Sequence, residues 1–258
     1  MDVGGHNGDD TAFYLHRGYR VVTVEANPVL AERLRVRFAG QPVCVENVCI
    51  GPSESKSVEF WVNRHNDTWS AFDRDIAARE GTEAYMVELP STKLRTLLNR
   101  YGVPEYLKID IEGMDQECLK SLDPGNLPKY ISLELSHGGD IIGELGALGY
   151  ARFKIINQGT FTTSTPIFQN QVGWRLLRKT RIGRLLPNGL KYDFDTFHQD
   201  RKWNWTFNEG TSGPFGEDTF GPWLTISQAK QRYERNKNAF MRAGVPLEHC
   251  WYDVHAAR

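Results

Sequence analysis

Apolar positions follow two different periods along the first 157 residues of the chain. Short continuous runs rich in β-branched residues are typical of buried strands, whereas apolar residues spaced three and four apart are typical of helices. Beyond a first strand of two or three residues at Asp2, strands are predicted at residues 19–24, 43–48, 106–111, 130–135 and 150–157. Helices are predicted at residues 11–17, 28–39, 94–101 and 115–122.

The alternation of these elements determines the predicted fold. Strands that alternate with helices form right-handed βαβ units, and such units build a parallel sheet with helices on both faces. The predicted fold class is therefore α/β, with a mostly parallel, doubly wound sheet. A further alternating stretch at residues 58–62 is predicted to lie off the main sheet.

The pattern changes after residue 149. Residues 158–249 lose the strand–helix alternation and are rich in tryptophan and phenylalanine, whereas residues 251–256 return to an extended, alternating pattern. The aromatic residues suit either stacking on sugar rings or the small core of a subdomain, and the second use is the commoner one. A basic segment at residues 175–191 suits a membrane or an anionic carrier, but its glycine and proline favour a solvated helix face.

Composition excludes several classes of protein. A chain of 258 residues can bury a full core, and its formal net charge of −1 is far from the basicity typical of nucleic-acid binding. Cys44, Cys49, Cys118 and Cys250 have neither the paired spacing of a metal site nor the density of a disulfide scaffold, so reduced thiols and a cytoplasmic location are expected. No run of apolar residues approaches the roughly 18 of a membrane span, and no signal peptide is predicted before Asp2.

A glycine-rich turn near the start of the chain precedes a hydrophobic run that ends in a carboxylate. Gly4 and Gly8 allow a tight turn and close approach of a ligand, and Glu25 can accept two hydrogen bonds from a ribose diol. A dinucleotide fingerprint requires glycine at the third loop position, which His6 occupies here. The loop therefore favours a ligand that lacks a pyrophosphate and has a positive end for Asp2 to sense, as S-adenosylmethionine does.

A second motif ends the strand predicted at residues 106–111. Its Asp-x-Glu-Gly sequence places the carboxylates of Asp110 and Glu112 at the carboxyl edge of the sheet, where open α/β sheets bind ligands. Residues 2–8, 24–28 and 107–113 resemble, in order and separation, three sequence blocks of the FkbM family of S-adenosylmethionine-dependent methyltransferases. The resemblance covers the chain up to about residue 157.

This resemblance implies a Rossmann-like, class I methyltransferase fold whose last strand runs antiparallel to its neighbours. We therefore expect residues 251–256 to enter the main sheet beside residues 150–157. Residues 1–158 and 250–258 would then form the core that binds S-adenosylmethionine. Residues 159–249 would form an aromatic-rich insertion that caps the substrate site.

The resemblance also implies roles for individual residues in the cofactor site. Glu25 is expected to hold the ribose, and Asp110 to lie near the sulfonium. The residues expected at the methionine end are Asp2, Gly4 and Gly8, and those expected beside the adenine are Asn47 and Val48. For Asn47, a turn residue without ligand contact is an equally good interpretation.

The implied reaction is methyl transfer to a hydroxyl group of a sugar, glycan or secondary metabolite, which can require a base to remove a proton. The candidate bases are Asp110, Glu112 and His137, although His137 also suits a structural role. A divalent metal bound by Asp110, Glu112, Glu134 and His137 is a weaker alternative, because these residues lack a recognisable ligand spacing. The alternative function is a binding or scaffold protein that retains the fold without catalysis.

Overall fold

The computed structural model describes most of the chain with a large gap in the predicted insertion. The described residues are 1–111, 113–135, 139–158, 161, 163, 199–200, 202–208, 210–242 and 251–258. The predicted site residues Glu112 and His137 and the basic segment 175–191 lie outside them.

The helices and strands of these residues follow the predicted alternation in the first half of the chain. The strands are β1 (Asp2–Val3), β2 (Val21–Val24), β3 (Val43–Glu46), β4 (Cys49–Ile50), β5 (Ser55–Asn63), β6 (Ala84–Thr92), β7 (Tyr106–Ile109), β8 (Tyr130–Glu134), β9 (Arg152–Asn157), β10 (Gln199–Asp200), β11 (Trp205–Thr206) and β12 (Tyr252–Ala257). The α-helices are α1 (Asp9–His16), α2 (Pro28–Arg37), α3 (Arg74–Ala77), α4 (Leu94–Tyr101), α5 (Asp115–Lys120), α6 (Ile141–Leu148) and α7 (Ile226–Arg242).

Within the described residues, seven strands form the main sheet in the order β3-β2-β1-β7-β8-β12-β9. The neighbours from β3 to β8 pair in parallel, whereas β12 pairs antiparallel with both β8 and β9. The structure therefore confirms the predicted fold class, including the antiparallel C-terminal strand. That strand lies beside β9, as expected, and separates it from β8.

Burial explains why β12 belongs in the sheet interior. Tyr252, Val254 and Ala256 alternate on one face and join the main hydrophobic core, and all six residues of the strand are buried. Asp253 and His255 occupy the other face and are buried as well. Polar groups on that face must therefore find partners within the protein.

A second sheet lies between the third and fourth strands of the main sheet in sequence. It consists of three strands in the order β4-β6-β5, in which β5 and β6 form a long antiparallel pair. The prediction that residues 58–62 lie off the main sheet is confirmed, because they belong to β5. Phe60, Val62 and Leu89 pack with Cys49 in a small core of their own.

The described part of the aromatic-rich region packs against α1 and the start of β7. Phe215 stacks on Tyr106 with ring centroids 4.0 Å apart, and Phe207 meets Phe13 edge-on at 4.7 Å. These aromatic rings therefore build a hydrophobic cluster, which is the commoner of the two uses considered for them.

Candidate functional site

A cleft of about 320 Å³ lies at the carboxyl ends of the parallel strands. Gly4 follows β1, Glu25 follows β2, Asp110 follows β7 and Glu134 ends β8, and all four residues line the cleft. The opposite wall comes from residues 67–72, which connect β5 to the rest of the second sheet. This position at the carboxyl edge is where open α/β sheets bind their ligands.

The glycine turn after β1 packs tightly against the end of β7. Gly4 has a φ of 88°, and a Cβ atom on this residue would lie 1.9 Å from the carbonyl oxygen of Asp110. The backbone N–H groups of Gly4 and Gly5 both donate to the carbonyl of Val24, at 3.0 Å each. Only glycine therefore fits at position 4, and the backbone itself forms this part of the cleft.

Gly8 has a different reason to be glycine. It is the N-cap residue of α1 with a φ of 86°, and a Cβ atom there would lie 2.6 Å from Leu34 and 2.7 Å from Phe38. Because Gly8 is not among the residues that line the cleft, the structure gives it a role in packing α1 against α2. Its predicted contact with the cofactor stays a prediction.

Asp2 lies beneath the glycine turn and is fully buried. The Thr11 hydroxyl donates to Asp2 Oδ2 at 2.6 Å, and Lys108 Nζ lies 3.5 Å from Asp2 Oδ1. Asp2 is not among the residues that line the cleft. The structure therefore places its charge behind the cleft surface, where it acts on a ligand through the field of its neighbours.

Glu25 has the geometry expected of a carboxylate that receives a ribose. Its Oε2 accepts the N–H of His6 and its Oε1 accepts the N–H of Asn27, both at 2.8 Å, which fixes the orientation of the carboxylate. Burial raises the pKa of Glu25, and these two N–H groups partly offset that shift. The residue is 8% exposed and lines the cleft, so its free lone pairs face the space available to a ligand.

Asn47 supports the turn that carries Glu25. Its side-chain amide donates to the carbonyl oxygens of Glu25 at 2.8 Å and Ala26 at 2.9 Å. Val48 packs against the main hydrophobic core. Neither Asn47 nor Val48 is among the residues that line the cleft, and their predicted place beside an adenine stays a prediction.

Sequence analysis missed Lys108, which stands at the centre of the site. This residue of β7 is 4% exposed, and its Nζ lies 3.0 Å from Asp10, 3.4 Å from Asp110 and 3.5 Å from Asp2. It also donates to the carbonyl oxygen of Gly4 at 3.2 Å. A lysine within an otherwise apolar, buried strand is the signal that could have revealed it, because buried lysines are almost always paired.

Three further carboxylates meet at the other end of the cleft. Asp110, whose side chain is 35% exposed, and Glu134 line it, and Asp253 of β12 lies opposite Glu134 in the sheet. Burial raises the pKa of Asp253 well above its usual value, Asp110 and Glu134 raise it further, and the amide of Gln158 donates to it at 2.6 Å. Of the three candidate bases, the structure therefore places Asp110 in the cleft, while Glu112 and His137 lie outside the described residues.

Two searches of the described residues gave negative results. Within the described ranges, no group of three or more histidine, cysteine, aspartate or glutamate side chains has the arrangement to hold a metal ion. No helix in the same part of the chain is long and apolar enough to cross a membrane.

Comparison with known proteins agrees with the geometry of the site. The family model described as the methyltransferase FkbM domain matches residues 2–153, which include β1 to β8 and the residues of the glycine turn, Glu25, Lys108 and Asp110. Neither a search of curated proteins nor a search of solved structures gave a significant match. The matched region covers more than half of the chain, and the protein belongs to the FkbM methyltransferase family.

Proposed function

We propose that this methyltransferase uses S-adenosylmethionine and transfers its methyl group to a hydroxyl group of a sugar, glycan or secondary metabolite. The observation that carries the proposal is Glu25, a buried carboxylate oriented by two backbone N–H groups beside a glycine turn in the cleft. Such a carboxylate can accept both hydroxyl groups of a ribose. The glycine turn leaves room for the rest of the nucleoside without the glycine that a pyrophosphate requires.

The charges around the cleft also fit this cofactor. Asp10, Glu25, Asp110 and Glu134 line it together with Lys108, so acidic groups outnumber the basic ones on the side formed by the main sheet. When bound, S-adenosylmethionine supplies a methyl group on a sulfonium, which is positively charged and already activated. A negative environment stabilises a cation of this kind.

The residues of the chain then have two tasks, alignment and proton removal. Glu25 and the glycine turn orient the nucleoside, and this alignment accounts for much of the catalysis in displacement reactions. Asp110 is the described candidate base, because it lines the cleft and is partly exposed. Its contact with Lys108 at 3.4 Å keeps a cation beside the carboxylate and favours the charged form.

Aromatic side chains on the far walls support an acceptor with flat, partly apolar faces. Trp69 and Phe72 from the second sheet and Trp251 before β12 line the same cleft. Arg79, which also lines it, lies 4.6 Å from the ring of Trp69. Gly210 and Thr211 of the insertion complete the wall, which supports the proposal that residues 159–249 cap the substrate site.

Calorimetry with S-adenosylmethionine, S-adenosylhomocysteine and NAD tests the cofactor. We expect the first two to bind and NAD not to bind, and we expect Glu25→Gln to weaken binding by about 1–3 kcal/mol because a charge-assisted hydrogen-bond acceptor is lost. Glu46→Gln is the matched control, since Glu46 ends the neighbouring strand β3 but pairs with Arg100 outside the cleft. Full affinity in Glu25→Gln, or tight binding of NAD, would contradict the proposal.

A turnover assay distinguishes this enzyme from a scaffold protein with the same fold. Incubation of the protein and S-adenosylmethionine with a mixture of glycans and hydroxylated metabolites should produce S-adenosylhomocysteine. A scaffold protein would bind the cofactor and leave its amount unchanged.

A further inference from the structure

Asp10 connects the cofactor side of the cleft to a wall outside the region matched by the family model. It lies in the first turn of α1, is 5% exposed and lines the cleft. Its Oδ2 lies 3.0 Å from Lys108 Nζ, and both of its oxygens accept the backbone N–H of Ser212 at 3.1 Å. Asp10 thus fixes the segment that brings Gly210 and Thr211 to the cleft.

The charges around Asp10 do not balance. Lys108 is the shared counterion of Asp2, Asp10 and Asp110, and the four groups have a formal charge of −2 when all are ionised. Asp2 Oδ1 has no hydrogen bond to any described residue, although it is completely buried. A buried negative excess is unfavourable in a medium of low dielectric constant, and a cation that enters the cleft relieves it.

We propose that Asp10 makes the cleft selective for the charge of its ligand, so that a sulfonium binds more tightly than the neutral thioether left after methyl transfer. This inference rests on the proposed function. S-adenosylmethionine and S-adenosylhomocysteine share the nucleoside and the amino acid and differ only in the methyl group and its charge. The excess negative charge therefore acts on their difference in affinity, and it favours departure of the product.

Protonation of Asp10 should remove this selectivity. The charged or titratable groups that face it are Lys108 and Tyr106 of β7, Asp2 of β1 and Tyr14 of α1, with Asp110 on the far side of Lys108. Burial raises the pKa of Asp10 to about 6, with Lys108 opposing this shift and Asp2 adding to it. Below that pH Asp10 is neutral, the negative excess is smaller, and the preference for the cation declines.

Asp10→Asn is the decisive variant because it changes charge and keeps shape. A single oxygen at the Oδ2 position lies within hydrogen-bond distance of both Lys108 Nζ and the N–H of Ser212, so an asparagine can retain both contacts. Asp9→Asn is the matched control. Asp9 lies in the same helical turn and binds Asn208 and Arg37, but it does not line the cleft.

Calorimetry with S-adenosylmethionine, S-adenosylhomocysteine and the non-reactive amine analogue sinefungin measures the selectivity. In Asp10→Asn we expect the affinity ratio of each cationic ligand to S-adenosylhomocysteine to fall by about tenfold, with little change in Asp9→Asn. An unchanged ratio in a variant that unfolds at the same temperature as the unmodified protein would overturn the inference and leave the proposed function intact. Failure of the unmodified protein to bind any of the three ligands would overturn both.

The unmodified protein gives a second test that does not depend on the folding of a variant. The same ratio, measured from about pH 7.5 to about pH 5, should fall as Asp10 becomes protonated. A ratio that stays constant over this range would also overturn the inference.

Discussion

Two lysines are buried in the main sheet, and their surroundings differ in kind. Lys108 lies in the parallel half, on β7, and is 4% exposed, whereas Lys154 lies in the antiparallel half, on β9, and is 2% exposed. Lys108 is surrounded by carboxylates. Lys154 instead donates to the carbonyl oxygens of Gly216 at 3.4 Å and Thr219 at 2.5 Å.

The pKa values of the two lysines move in opposite directions. Burial lowers the pKa of Lys108, but Asp10, Asp2 and Asp110 more than offset this, and the pKa lies well above its usual value. Burial also lowers the pKa of Lys154, and the more distant carboxylates do not restore it. Burial alone therefore does not indicate a functional lysine; the excess of opposite charge around Lys108, at the edge of a cleft, does.

Deletion of residues 251–258 should have the largest effect on this comparison, because it removes the strand that joins the two halves of the sheet. β12 is hydrogen-bonded on both sides, to β8 and β9, and all of its residues are buried. We expect the truncated protein to lose cooperative thermal unfolding by calorimetry. Removal of the exposed Arg258 alone is the control, and a soluble truncation with a normal unfolding transition would contradict the prediction.

Replacement of each lysine by methionine should separate the two environments. Lys108→Met leaves buried carboxylates without a counterion and should lower the free energy of unfolding by about 3–5 kcal/mol at neutral pH. Lys154→Met leaves two backbone carbonyl groups without a donor and should cost about 1–3 kcal/mol. Urea unfolding of both variants measures the difference, and equal losses would show that the carboxylates around Lys108 have no special weight.

The loss in Lys108→Met should also depend on pH. Asp10, whose pKa is about 6 beside Lys108, becomes protonated more easily once the ammonium is gone. The destabilisation relative to the unmodified protein should therefore shrink as the pH falls toward 5, about one pH unit below that value. Lys154→Met should show no such recovery through Asp10.

His255, the neighbour of Lys154 across β9 and β12, should produce the smallest effect. Burial lowers its pKa from 6.5 to about 3, and neither ring nitrogen has a hydrogen-bond partner among the described residues. The unfolded chain binds a proton below pH 6.5 and the folded protein does not, so this residue destabilises the fold as the pH falls through that range. His255→Leu should remove about 1 kcal/mol of the stability lost between about pH 7.5 and about pH 5.5. An unchanged pH dependence of unfolding would show that His255 is protonated in the folded state.

The fold was largely predictable because its signals are local. Continuous apolar runs predicted β7 and β8, and the alternation at residues 251–256 predicted β12 to within one residue. The exception at residues 43–48 is instructive, since β3 ends at Glu46 and Asn47 turns to bind the carbonyl oxygens of Glu25 and Ala26. A contact with a distant turn ended the strand, and no local pattern contains that information.

The candidate site was predictable in part. The position of Glu25 followed from the length of the strand before it, and Asp110 followed from the carboxyl end of β7. Gly8 lies where expected in the turn, but its requirement for glycine comes from Leu34 and Phe38 of the next helix and not from the cleft. Position along a strand is readable in a sequence, whereas the identity of the neighbour across a helix packing is not.

The sequence by itself determined the order of the elements, the parallel sheet and the residues that end its strands, because hydrophobic periodicity and glycine turns act over a few residues. Only the tertiary structure decided that Lys108 would hold three carboxylates and that Asp10 would bind Ser212 from the far end of the chain. Electrostatic interactions depend on distance in space and on the polarity of the surrounding medium, and both are properties of the packed protein. The charge balance of the cleft is therefore a consequence of the fold.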